Sequence, residues 1–276
     1  MMTLARSLPC RPVHVAAWGW IALHAAALWP HGLWAARRLA DGSDDPLGAA
    51  ACLALVWWLA RAAPTLRPQP RLGWLAGSAA LTVSATLALA YAPALAAAML
   101  AMLALAAHIA AWLPARVAVA PPTGLALLAL PLVASLQFYL GYPLRVFTAS
   151  FSAWLLQAVG IAAERSGAAM TVRGQLVIVD APCSGVQMAW LAYFAACTVA
   201  AFTGLRDAAF VRRLPIVGLL VLTGNVLRNS ALVALEARPE GLAPVWHEAI
   251  GVLALVVVVG LTLRVMCPSS CRGETT

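Results

Sequence analysis

Apolar residues run along this chain in blocks long enough to cross a bilayer, separated by short polar or proline-rich breaks. The blocks fall at Val13–Ala36, Pro46–Ala63, Gly73–Ala92, Ala94–Leu113, Thr123–Gly141, Cys183–Phe202, Leu214–Leu235 and Val245–Val265. Each is close to the ~20 residues that a helix needs to span hydrocarbon. The breaks carry turn chemistry, as in Asp41-Gly42-Ser43-Asp44-Asp45-Pro46 and the arginine- and proline-rich stretch from Pro64 to Arg71. The pattern predicts an all-α polytopic membrane protein of about eight transmembrane helices. The Ala/Leu bias of the early spans defines no repeat.

Residues 142–182 depart from that pattern. Leu144, Phe147, Phe151, Trp154, Leu155 and Ala158 recur at helical spacing, while Arg145, Thr148 and Ser152 fall elsewhere on the wheel. This predicts an amphipathic helix lying in the interface. The β-branched flanks of Arg173-Gly174, within Met170 to Val179, predict a small hairpin. Its edge amides would go unpaired in hydrocarbon, so helix and hairpin are expected to cap one face of the bundle. The chain thus divides into N-terminal spans, residues 1–141, and a second part, residues 142–276, holding the cap, three spans and a short tail.

Composition agrees with a lipid solvent: 63% of residues are hydrophobic and only 10% charged, with a mean hydropathy of +0.87. The net charge of +8 comes from arginine alone. In such a protein a basic surplus reports orientation and contact with anionic membrane lipids, and no nucleic-acid motif is present. With the N-terminus inside, Arg6, Arg11, Arg61, Arg67, Arg71, Arg116, Arg206, Arg212, Arg213, Arg264 and Arg272 are cytoplasmic. Arg37, Arg38, Arg145, Arg165, Arg173 and Arg238 are then outside, the first two offset by Asp41, Asp44 and Asp45. The positive-inside rule favours this orientation, and the cap then faces outward. The first apolar block is of full span length and is expected to be retained, not cleaved as a leader.

Three chemically active residues meet on that outer side. Cys183 opens the sixth span after Asp180-Ala181-Pro182, Arg228 lies in the outer half of the seventh, and His247 near the start of the eighth. Alternate spans run in opposite directions, so all three share one face. A thiol in a helix's first turn feels the positive end of the macrodipole, which favours the thiolate. Asp180, the expected N-cap, opposes this. His247 can take the thiol proton and return it to a leaving amine. Arg228 can stabilise an oxyanion, reaching up from ~12 Å below the helix end. Asn225 and Asn229, at i−3 and i+1, are expected to hold its guanidinium. Ser184, beside Cys183, is the lesser candidate nucleophile. A lone cysteine at a span end, or a lone interfacial histidine, is ordinarily packing or snorkelling. An arginine inside a span costs at least ~2.5 kcal/mol and demands a function or a partner.

At these residues the chain resembles the exosortase/archaeosortase family. The resemblance runs from Gly141-Tyr142-Pro143-Leu144 through the hairpin to Ala181-Pro182-Cys183-Ser184-Gly185, then Asn225-Val226-Leu227-Arg228, then His247 and Gly251. It covers roughly the C-terminal half; the earlier spans match as generic hydrophobic helices. It implies a membrane-embedded cysteine transpeptidase or endopeptidase of the bacterial inner membrane, with its site facing the periplasm. Substrates would be exported proteins carrying a C-terminal tripartite signal of short motif, apolar helix and basic end, as in PEP-CTERM-type proteins. Cys183 would form the thioester, with His247 as acid/base and Arg228 as oxyanion stabiliser.

The rival from another class is a non-enzymatic multi-pass transporter or assembly factor for surface polysaccharide, with Arg228 as a counter-ion. Broken, repeat-related spans and a second intramembrane charge, which it would need, are missing from the pattern. An intramembrane metalloprotease lacks His-Glu-x-x-His. His14, His24, His31 and His108 have almost no carboxylates or thiols beside them on their spans, so no metal and no cofactor is expected. The six cysteines show no disulfide spacing, and Cys267 and Cys271 are expected to be unremarkable thiols.

Overall fold

The structure is a computed structural model and describes residues 13–178, 184–237 and 243–267. Helices α1 (Val13–Ala27) and α2 (Trp29–Ala40) occupy the place of the expected first span. Pro30, at the second position of α2, offers no amide to the preceding turn, and the helix breaks at Leu28. Next come α3 (Leu47–Ala62), ending in a 3-10 turn, then α4 (Leu72–Tyr91) and α5 (Ala94–Trp112). Ala97, Ala98, Ala101 and Ala104 of α5 are fully buried. Ser78 of α4 donates to the Ala104 carbonyl at 2.9 Å. Small side chains let helix backbones approach closely, so part of the alanine bias is a packing surface.

The expected fifth span is not one straight helix. α6 (Ala120–Leu128) stops after nine residues, and α7 (Val133–Ala158) departs at 93°. Pro131 lies in the break, where its missing amide ends the helical ladder. α7 then continues through Pro143 and includes the predicted interfacial helix, which is no separate element. Its aromatic side is exposed, Trp154 to 71%, and Thr148 and Ser152 point inward. The polar stripe is therefore the packed one, the reverse of a helix that shows its polar side to water.

After α7 the chain forms β1 (Ala163–Ser166), β2 (Ala169–Val172) and β3 (Gln175–Ile178), an antiparallel sheet in the order β1-β2-β3. The predicted hairpin is its second half. Arg173 and Gly174 both have positive φ, as a two-residue turn of this hand requires. The short strand β1 carries no strong alternation and escaped the pattern. Ala163, Met170 and Val172 pack with Ala149, Ala153 and Leu156 of α7 and Val233 and Ala237 further on, seating the sheet on one end of the bundle.

The last helices are α8 (Val186–Thr203), α9 (Asp207–Glu236) and α10 (Pro244–Met266). Among the described residues, six helices are individually long and apolar enough to cross a membrane, and α6 with α7 makes a seventh if the bent pair is one span. Six or seven such spans are roughly consistent with the expected bundle of about eight. At the end opposite the sheet, Arg71 donates to the Ala110 carbonyl at 2.7 Å and Arg213 to the Val265 carbonyl at 2.9 Å. Both guanidiniums thus satisfy last-turn carbonyls, of α5 and α10 respectively, where the macrodipole is negative.

Candidate active site

The site is assembled around the start of α8. Gly185 precedes that helix with φ +82°, a left-handed conformation that glycine alone adopts freely. A Cβ there would also lie 2.9 Å from Cγ of Asn225. Glycine is therefore needed twice, for the turn and for the approach of α9. The buried Ser184 donates its hydroxyl to Oε1 of Gln137 at 2.8 Å and accepts from the Val186 amide at 3.3 Å. With its proton given to Gln137, Ser184 acts as a fastening between α7 and α8.

Two matched polar pairs tie α9 to α7. Nδ2 of Asn225 donates to Oγ1 of Thr148 at 3.0 Å, and Nδ2 of Asn229 to Oγ of Ser152 at 2.9 Å. Ser152 in turn donates to the Val226 carbonyl at 3.3 Å. All four residues are buried. Their i, i+4 spacing on both helices puts the pairs one turn apart. Such bonds in apolar surroundings average ~0.6 kcal/mol each, so their chief effect here is register.

Arg228, half-buried, lies on α9 beside those asparagines and turns toward α10. A Cβ on Gly251 would meet its Nε at 3.3 Å and Nη2 at 3.4 Å, so the guanidinium rests against that glycine. His247 precedes Gly251 by four residues and shares its face, one turn nearer the start of α10. Arg228 follows Asp207, the first residue of α9, by 21 positions, about 32 Å along the helix and far from the arginine-rich end. The fold thus gathers Ser184, Gly185, Asn225, Arg228, Gly251 and His247 at the end that carries the sheet. Cys183 and Asp180 lie outside the described residues, which resume at Ser184. Cys10 and Cys271 lie outside them too.

Next to Ser184 is a cavity of about 300 Å³ whose lining includes Asp44, Asp45, Gln137, Ser184 and Gln187. Gln187 donates to Oδ2 of Asp45 at 3.0 Å. Asp44 accepts the Ala134 amide in the first turn of α7 at 3.1 Å and stands 3.7 Å from Arg38. The α2–α3 loop, read from the sequence as a plain break, therefore belongs to the rim of the site. No local signal could announce this, because its partners lie about 90 and 142 positions away.

The histidines of the early spans do not join this site. His24 and His108 pack with ring centroids 4.5 Å apart, and Nε1 of Trp112 donates to His108 at 3.4 Å. Among the described residues no three of His, Cys, Asp and Glu stand close enough together to hold a metal ion.

Residues 34–264 match the family model described as Transmembrane exosortase (Exosortase_EpsH). The chain belongs to the transmembrane exosortase family. No curated protein and no solved structure matches it. The match begins in α2 and ends in α10, so the kinship extends well beyond the C-terminal half in which the motif residues lie. The exosortase is accordingly a multi-pass membrane protein and, in the general sense of its family, a transpeptidase or protease acting on exported proteins with C-terminal signals.

Proposed function

We propose that this exosortase cleaves the C-terminal sorting signal of exported proteins, of PEP-CTERM type, through a thioester on Cys183. The thiol gives its proton to His247 and the sulfur adds to a backbone carbonyl near the signal motif. Arg228 neutralises the oxyanion that develops. When the intermediate collapses the C–N bond breaks, and His247 returns the proton to the departing amine. A thioester to the exported protein and a free membrane-anchored fragment result. An acceptor nucleophile, or water, then attacks the thioester and regenerates the thiol.

The observation that carries this reading is the contact of the Arg228 guanidinium with Gly251, one turn from His247. It sets a fixed cation and an imidazole-bearing helix face side by side at the end where α8 begins. Asn225 adds to it by packing on Gly185, two residues after Cys183. In this scheme Asn225 and Asn229 hold α9 in register and Ser184 fastens the nucleophile's turn; α8 begins at Val186 with Gly185 as its N-cap, so the capping role expected for Asp180 falls to Gly185. Residues 142–276 form the catalytic part, on a scaffold supplied by residues 1–141. The asymmetry of the arginines supports an inner-membrane protein with this end facing the periplasm.

The decisive test is processing of an exported reporter bearing the tripartite signal. Cys183→Ala should abolish cleavage while membrane insertion is unchanged. Full processing by that variant, or by Arg228→Ala, overturns the mechanism.

A further inference from the structure

The arginine-rich end of the bundle holds a second site, unrelated to the chemistry above. Two turns meet there: Pro114 to Ala118, between α5 and α6, and Gly204 to Arg206, between α8 and α9. Oδ1 of Asp207 accepts the Val119 amide at 2.9 Å and the Ala120 amide at 2.8 Å, capping α6 and locking the turns together. Beside this joint is a cavity of about 830 Å³ lined by Arg116, Arg206 and Arg212. Among the described residues no carboxylate forms a salt bridge with any of the three. Asp207, the one acid in the lining, already has an oxygen committed to backbone amides.

A second groove, of about 690 Å³, opens from the same joint and also includes Asp207 in its wall. Its remaining lining is almost wholly apolar and includes Leu81, Leu103, Leu127, Phe210 and Leu214. Phe210 to Leu214 carries the groove roughly 6 Å along α9 toward the bilayer centre. An apolar slot between helices with a cationic mouth matches one kind of molecule. A soluble anion would use the mouth and leave the slot unfilled. A neutral lipid would use the slot and leave three guanidiniums facing the single carboxylate of Asp207. A substrate's basic tail would be repelled.

We infer that Arg116, Arg206 and Arg212 bind the phosphate headgroup of an anionic phospholipid whose acyl chain lies in the groove between α4, α5, α6, α8 and α9. The site sits about 32 Å along α9 from Arg228, and so concerns seating in the membrane, not catalysis. Basic pockets between spans take anionic headgroups in this way, and each arginine near a charged lipid is worth about a five-fold factor in affinity.

The experiment uses the full-length protein in detergent, with lipid retention read by native mass spectrometry. Four probes are compared: dioleoyl phosphatidylglycerol, dioleoyl phosphatidylcholine, dihexanoyl phosphatidylglycerol and inorganic phosphate. Dioleoyl phosphatidylglycerol is expected to bind at least about ten-fold better than each of the others. Arg206→Gln should weaken it about five-fold, and Arg116→Gln with Arg206→Gln and Arg212→Gln should erase the preference over phosphatidylcholine. Leu127→Trp, which fills the groove, should weaken the dioleoyl lipid and leave the dihexanoyl one unchanged. Arg37→Gln, at the other end, should change nothing. Equal binding of the two dioleoyl lipids overturns the inference, as does inorganic phosphate competing as well as the lipid. Both comparisons use the unaltered protein, so a variant that misfolds does not blunt the test.

Discussion

Replacing Gly185 by alanine probes the join between the start of α8 and α9 at a single atom. The added methyl meets two separate costs. At φ +82° an L-residue gives up about 1–2 kcal/mol to the left-handed conformation. The methyl also lands 2.9 Å from Cγ and 3.0 Å from Nδ2 of Asn225, whose amide is held by Thr148 and cannot swing away without breaking a buried bond. Overpacking of this kind costs about 1–3 kcal/mol. Gly185→Ala should therefore destabilise by roughly 2–5 kcal/mol in all. In an Asn225→Ala background the obstruction is gone and only the backbone part, about 1–2 kcal/mol, remains. The two substitutions should then couple by about 1–3 kcal/mol in a double-mutant cycle of unfolding stability in detergent. Processing of a signal-bearing reporter, followed in parallel, should fall more than ten-fold in Gly185→Ala, because Gly185, two residues after the proposed nucleophile, moves off Asn225. A coupling below about 0.5 kcal/mol would mean the contact is not felt, and the account of how α8 is seated would be wrong.

Other expectations follow from the same geometry. Gly251→Leu puts a side chain where the Arg228 guanidinium rests, so reporter cleavage should drop at least ten-fold while stability changes little; unaltered turnover would refute the pairing. Arg228→Lys keeps the charge but loses the planar fork, and cleavage should fall to a level between wild type and Arg228→Ala, read as kcat/KM in proteoliposomes. Ser184→Ala removes the hydrogen bond to Gln137 and, on the proposed mechanism, spares the nucleophile, so it should retain processing within about ten-fold; complete loss would reinstate the serine as the attacking group. Ser152→Val leaves the Asn229 amide without its partner and should lower stability by about 0.6–1.7 kcal/mol, measured by thermal unfolding in detergent.

How much was legible beforehand depends on whether a signal is local. The spans were, since each needs only its own run of apolar residues, and α3, α4, α5, α8 and α10 appear close to where the runs put them. Arg173-Gly174 announced its turn because positive φ there is a property of two adjacent residues. Breaks were harder. Pro30 and Pro131 interrupt helices, while Pro143 and Pro215 ride inside α7 and α9. What separates these cases is the packing around each proline, which a one-dimensional pattern does not contain. The polar face of α7 was visible, but its direction was not. Thr148 and Ser152 point inward because Asn225 and Asn229 wait there at the same spacing.

The sequence by itself determined the solvent, roughly how many times the chain crosses it, and which ends of the last three helices share a face. These follow from hydropathy and from alternation of direction, which need no knowledge of neighbours. Only the tertiary structure decided that Arg228 rests on Gly251, that Asn225 abuts Gly185, and that Asp44 and Asp45 of a remote loop close the rim. Side-chain contacts of that kind depend on helix rotation and separation to within an ångström. Those are set by every packed surface in the bundle together, and no segment records them alone.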